Sequence, residues 1–267
     1  MNRSTLFKPV AGPTVLTLLL ILFALPRLFA ETPANELLKA IKSNDLKKLS
    51  ALLKQGADPN TRDEIKNPIL VVAAYSGNGK IVSLLLGSGA DFRATGDSDW
   101  NALHYTALYG NRDISELLLN RGLEVDAREA AGLTPLAMAS VRGQLKVMRL
   151  LIERHADVNL PDTGGNTPLL HAAMRGRTDA VRLLLEHGAA VNTASSHGWT
   201  PLMAAAWEGH TSIVKALLKH DANISLVNSE RRSALLLAES GGHREVVKLL
   251  ETSRASAGIS AGDLKKK

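Results

Sequence analysis

Eight histidines and no cysteine set the terms for any chemistry this 267-residue chain could attempt. Without a thiol there is no disulfide, no cysteine metal site and no sulfur nucleophile, so imidazole, carboxylate and hydroxyl groups must carry any reaction. Zinc hydrolysis needs two histidines one helical turn apart with a glutamate between them, because both imidazoles must face the same ion. No His-Glu-x-x-His segment occurs. Phosphate binding needs a glycine-rich loop whose N–H groups cradle the anion, then a lysine followed by a hydroxyl that holds magnesium. Ser76-Gly77-Asn78-Gly79-Lys80 supplies the lysine, but the first glycine is missing and Ile81 stands where the hydroxyl belongs. No residue set in the chain combines a nucleophile, a base and an orienting group at a recognisable spacing, and no catalytic, cofactor-binding or metal-binding residues are assigned.

Charge offers a partner class only at first sight. The formal net charge is +6, but Arg3, Lys8 and Arg27 stand in residues 1–30 without an acid, and Lys265, Lys266 and Lys267 close the chain. Removing those six from 32 leaves 26 basic side chains against 26 acidic ones in residues 31–264. A neutral body gives no case for binding a nucleic-acid backbone. Hydrophobic residues at 45% exclude a disordered chain, and aromatics at 4% mean that the core rests on leucine, alanine and valine.

The amino terminus reads as an export signal. After two positive charges comes Thr14-Val-Leu-Thr-Leu-Leu-Leu-Ile-Leu-Phe-Ala-Leu25, twelve residues, then the helix breaker Pro26 and a small Ala30. Such a run is short for a membrane span of about 20 residues and suits a signal peptide. The expectation is a signal over residues 1–30, cleavage before Glu31, and a periplasmic or secreted product. Membrane attachment is expected only if the segment is retained as an anchor.

The remainder is ruled at 33-residue intervals. Thr134-Pro-Leu, Thr167-Pro-Leu and Thr200-Pro-Leu define the step, and the same step gives anchors at Asn35, Pro68, Asn101, Thr134, Thr167, Thr200 and Ser233. Two residues past each anchor stand Leu37, Leu70, Leu103, Leu136, Leu169, Leu202 and Leu235. Seventeen past it stand Leu52, Leu85, Leu118, Leu151, Leu184, Leu217 and Leu250. Thr-Pro starts a helix, because Thr can cap it and proline lacks an N–H where none is needed. Asn44 and then Gly77, Gly110, Gly143, Gly176, Gly209 and Gly242, nine past the anchors, end that helix in a left-handed turn. A second helix follows, with apolar residues at +13, +14, +16 and +17, such as Ile81, Val82, Leu84 and Leu85. Asp97, Ser98 and Asp99 break the pattern of the connecting loops, since no glycine stands two before that anchor.

This pattern resembles the ankyrin repeat, a helix–turn–helix with a hairpin-like loop, a Thr-Pro-Leu-His-x-Ala motif and a 33-residue period. The class implied is all-α: an ankyrin-repeat solenoid of seven 33-residue repeats over residues 31–258, followed by a small, polar, basic tail at 259–267 that is expected to be disordered. Departures at the ends fit capping repeats, where Asn35-Glu36 replaces Thr-Pro and Glu239 and Glu251 occupy apolar columns. His104, His210 and His243 fall in structural columns of the motif. His155, His187 and His220 close second helices, where imidazole can meet free carbonyls. That leaves His171 and His197.

The resemblance implies a non-catalytic scaffold with a protein partner, met by loop tips and the exposed side of each first helix. Those are offsets −6, −4, −3, −1, +7 and +8. Of three tryptophans and three tyrosines, five fall there: Tyr75, Trp100, Tyr109, Trp199 and Trp207. Even scattering would put about one in those columns, and aromatics are favoured interface anchors. Trp100 and Trp199, at −1, are as readily loop-packing residues. The +7 column reads Tyr75, Leu108, Val141, Met174 and Trp207, an apolar stripe expected to face the groove. Beside it run Tyr109, Arg142, Arg175 and Glu208, with Arg128 adding a loop charge. Similar exported bacterial ankyrin proteins are associated with peroxide defence and catalase function, so the resemblance implies a catalase-like partner. The alternative is a secreted effector or a toxin-neutralising binder acting on a foreign protein.

Overall fold

The computed structural model describes residues 33–256. The expected signal over 1–30 and the tail over 259–267 lie outside the described residues.

Among the described residues, fourteen α-helices follow one another in seven consecutive pairs. They are Pro33–Lys42 with Leu46–Lys54, Ile69–Ser76 with Gly79–Gly87, Ala102–Tyr109 with Arg112–Asn120, and Pro135–Arg142 with Leu145–Glu153. The last three are Pro168–Met174 with Thr178–Glu186, Pro201–Trp207 with Thr211–Lys219, and Ala234–Ser240 with Arg244–Ser256. First helices pack on first helices and second helices on second helices, pair after pair. Among the described residues there is no β-strand, only isolated bridges Arg62–Pro68 and Val227–Ser233 within two connecting loops. No helix among them is long and apolar enough to cross a membrane.

The helix starts follow from their caps. The hydroxyls of Thr134, Thr167 and Thr200 accept from the N–H groups of Ala137, Leu170 and Met203 at 3.2, 3.3 and 3.3 Å, with proline in the next position. Ser233 caps its helix in the same way without a proline. In the first pair the pattern shifts: the helix starts at Pro33, so Asn35 and Glu36 lie inside its first turn rather than capping it. The left-handed turn between helices excludes a Cβ for a second reason besides φ. At Gly209 (φ 72°) a Cβ would sit 2.4 Å from His243 Nδ1 of the next pair. That imidazole is fixed because its Nε2 donates to the carbonyl of Trp207 at 2.8 Å. Gln144 and Arg177, in the same column, donate to the carbonyls of Leu108 and Val141 at 3.2 and 3.1 Å. The fourth, fifth and seventh pairs thus each satisfy a C-terminal carbonyl left open by the preceding first helix.

Both leucine columns form the core. Leu37, Leu70, Leu103, Leu136, Leu169 and Leu202 are buried, as are Leu85, Leu118, Leu151, Leu184, Leu217 and Leu250. The array thins at Leu52 and Leu235, which are half-buried, and at Leu236, which is 43% exposed. An end-repeat location does not loosen Leu250. Its helix packs on its own partner and on the preceding second helix, so the leucine is covered from both. The polar outer surface is instead supplied by Glu239 and Glu251, both exposed.

Candidate protein-binding face

The loop tips are held by a recurring acceptor five residues before each anchor. Asp63, Asp162 and Asn228 accept from backbone N–H groups across their own loops, and Glu129 and Ser195 accept from Leu133 and Trp199. Adjacent tips are then tied by a backbone ladder: Ala130 donates to Ser98, Thr163 to Ala131, Ser196 to Gly164 and Ser229 to His197, at 2.9 to 3.1 Å. The loop between the second and third pairs has Gly96 in the acceptor column. Asn67 Oδ1 of the previous loop accepts from Asp97 N instead, and Asp97–Asp99 tightens into a single 3₁₀ turn. Ser98 and Asp99 take left-handed φ values of 56° and 61° there, the conformation glycine holds at Gly132, Gly165 and Gly198. Arg128 is part of this frame, since its Nη2 donates to the Pro161 carbonyl at 2.6 Å.

On the first helices the apolar stripe is interrupted. Tyr75, Met174 and Trp207 are exposed by 57%, 38% and 39%, while Leu108 and Val141 are half-buried. Only long side chains rise above the neighbouring helices in this column, so the expectation of a continuous exposed ridge is corrected to two separate patches. Arg142, Arg175, Tyr109 and Glu208 are exposed beside them. Among the described residues none of the three charged groups is in an ion pair.

The first patch is aromatic. Tyr75 meets Tyr109 edge-to-face at 5.1 Å and Tyr105 at 6.1 Å, and Trp100 packs on Tyr105 at 4.8 Å. Trp100 is thus half-buried and held by Tyr105. Tyr105, at offset +4, escaped the six columns, although one helical turn separates it from +8 on the same face. Burial, then the neighbouring Tyr109, Asp97 and Asp63, raises its phenol pKa.

The second patch surrounds a cavity of about 300 Å³ between the fifth and sixth pairs. Met174, Trp199 and Trp207 line it, with Asn166, His197 and Glu208 as its polar groups. Trp199 is half-buried and packs on the core while also lining the cavity, so both of its readings hold. The Arg232 guanidinium lies 5.7 Å from the Trp207 ring centre. Asn166 and His197 stand on loop tips in the −1 and −3 columns, where counting aromatic side chains passed over them.

The histidines mostly serve the frame. His104 is buried; its Nε2 donates to the Ala127 carbonyl at 3.0 Å and its Nδ1 accepts from Asn101 N–H at 3.2 Å, which fixes a neutral tautomer. Burial lowers its pKa, more than the Ala127 carbonyl raises it. His187 Nδ1 donates to Leu183 O at 2.8 Å. His171 Nε2 lies 2.9 Å from Asp162. Burial pushes the Asp162 carboxyl up, but donors from Asn166 and His171 outweigh it and hold its pKa below the ordinary value. The phosphate-like loop is an ordinary cap: Asn78 accepts from Lys80 N and Ile81 N, using the N–H groups an anion would need. Among the described residues no group of three or more His, Cys, Asp or Glu could hold a metal ion. One serine pentad, Gly258-Ile-Ser-Ala-Gly262, matches the pattern of a hydrolase elbow and lies outside the described residues.

Stacked helix pairs and laddered loop tips define a solenoid repeat protein. A family model described as ankyrin repeats, in three copies, matches residues 37–129, 70–162, 136–228 and 189–260. The chain belongs to the ankyrin-repeat family. Comparison with curated proteins gives no match. Ankyrin repeats typically mediate protein–protein interaction and generally act as non-catalytic scaffolds.

Proposed function

We propose that this protein is an exported, non-catalytic scaffold that binds a partner protein across the face made by its loop tips and first helices. The observation that carries the reading is the exposure of Trp207 and Met174, at 39% and 38%, beside a cavity on a rigid, laddered frame. Large apolar side chains held out to water on a fixed surface are what a partner desolvates on docking. Arg142 and Arg175, exposed and outside any ion pair among the described residues, suit a partner surface whose carboxylates they can grip bidentately. Export rests on the charged start, the twelve-residue apolar run and Pro26. A catalase or another peroxide-defence protein is the first partner to test.

The test uses tagged protein purified from the periplasm. Intact mass gives the amino terminus, expected at Glu31. Partner capture is then compared for wild type, Met174→Ser with Trp207→Ser, and Arg142→Glu with Arg175→Glu, each shown to melt like wild type. Loss of capture in both double variants is expected. Capture undiminished in both, with folding intact, overturns the proposed face.

A further inference from the structure

We propose that the cavity between the fifth and sixth pairs receives an arginine side chain of the partner. This deepens the protein-binding reading and rests on it.

The cavity walls are apolar and flat. The indoles of Trp199 and Trp207 and the thioether of Met174 form a slot of about 300 Å³, room for one long side chain. Its polar lining is Asn166, Ser195, His197 and Glu208, of which Glu208 is the one carboxylate. Glu208 brings an exposed carboxylate that is in no ion pair among the described residues. The Asn166 Nδ2 donates to both Asp162 oxygens at 3.0 Å, so its amide nitrogen is engaged and the oxygen is what it can offer. A carboxylate and an amide oxygen beside aromatic faces suit a cation rich in donors, and the Ser195 hydroxyl and His197 ring can turn an acceptor toward it. Guanidinium fits better than ammonium, because its planar, weakly hydrated group stacks on an indole while its N–H fork meets a carboxylate. The molecule already uses this pairing once: Arg232, bonded to Glu230, places its guanidinium 5.7 Å from the Trp207 ring.

Other occupants fare worse. A carboxylate would face Glu208. An apolar side chain would strip water from Glu208 and the Asn166 oxygen without replacing its hydrogen bonds. Of the neighbouring cations, Arg175 stands one layer before Glu208 in the same column and Arg232 lies beside the Trp207 ring, and among the described residues neither is ion-paired with Glu208.

The test titrates the full chain, isotope-labelled, with acetyl-Gly-Arg-Gly-amide and with the same peptide carrying citrulline, the neutral isostere of arginine. The three tryptophan indole N–H signals are followed. The arginine peptide should move the signals of Trp199 and Trp207 and leave Trp100, in the other patch, unmoved. Losing the charge-assisted pair should weaken binding about tenfold, whether by citrulline or by Glu208→Gln. Glu208 is exposed, so Glu208→Gln keeps the fold. Equal binding of the citrulline peptide, or indole signals unmoved at millimolar arginine peptide, overturns the assignment. If the peptide fails while Met174→Ser with Trp207→Ser still abolishes partner capture, only the arginine assignment falls. If capture is unaffected in that variant and in Arg142→Glu with Arg175→Glu, the binding face itself is wrong.

Discussion

Replacing Asp126 with Asn should stabilise the array, because one rung of a repeating latch is chemically incomplete. Asn60, Asn159 and Asn192 each bind the next repeat with both ends of the amide. Their Oδ1 atoms accept from backbone N–H groups of Asp91, Ala190 and Asn223 at 2.7, 2.8 and 2.8 Å. Their Nδ2 atoms donate to the carbonyls of Gly89, Gly188 and Asp221 at 3.2 to 3.3 Å. Asp126 holds the same position and accepts from Asp157 N at 3.1 and 3.3 Å, but a carboxylate cannot make the second bond, which would go to His155 O. Burial raises its pKa above the usual 3.8; the Asp157 N–H lowers it, and the Asp157 and Glu124 carboxylates raise it further. Asn supplies the missing donor and removes the charge. One added hydrogen bond is worth about 0.5–1.5 kcal/mol, or roughly 1–6 °C in melting temperature for a domain of this size. The pH dependence gives a second check. A carboxyl with a raised folded pKa binds its proton more tightly when folded, so wild type gains stability as pH falls through that value. The advantage of Asp126→Asn should therefore be largest at pH 7 and shrink toward pH 4, measured by urea unfolding. A variant no more stable than wild type at pH 7, or a gap that does not change with pH, refutes the latch argument.

Two second helices end in non-glycine left-handed residues, His155 (φ 66°) and Asp221 (φ 61°), where Gly56, Gly89, Gly122 and Gly188 stand in the other repeats. His155→Gly should stabilise by up to about 1 kcal/mol by relieving that strain, as read by urea unfolding. Leu136→Ala and Leu250→Ala should each cost about 2–5 kcal/mol, since both are buried, while half-buried Leu235→Ala should cost less. The lowered pKa of His104 means that the unfolded chain holds the proton more tightly. Its contribution is complete above 6.5 and is lost as pH falls from there toward the folded value. Relative to His104→Asn, wild type should therefore lose stability between pH 6.5 and 5 in thermal melts.

The fold was legible because its cause is periodic. Helix starts at Thr134, Thr167 and Thr200 and the buried leucines follow from residue types that repeat, so one good copy reads for all. The first and last pairs were less legible, because what ends an array is the lack of a neighbour, which no single residue records. Leu235 loosens and Leu250 does not, although their columns look alike. The face was legible only in part. Column counting found Tyr75, Met174 and Trp207, but it treated every side chain at +7 as equally raised. Exposure there depends on length: leucine and valine lie within the groove floor, while tyrosine, methionine and tryptophan stand above it.

Position within a repeat fixes where a side chain points; its chemistry fixes what it does there. At +10, glutamine, arginine and histidine all close the preceding helix, because each can donate to one carbonyl. Arg128 and Arg62, at −6, donate to the next loop at 2.6 and 2.9 Å and so leave the tips tied rather than free. Arg142, Arg175 and Glu208 have no such internal work among the described residues, and they sit next to the two places where large apolar groups reach water. A residue that the frame does not use, placed beside an exposed indole, is where the selectivity of a repeat protein can reside without disturbing its stack. That separation is why substitutions at Glu208 or Arg175 should alter what is bound, while those at Asp126, His104 or Leu136 alter only whether the array stands.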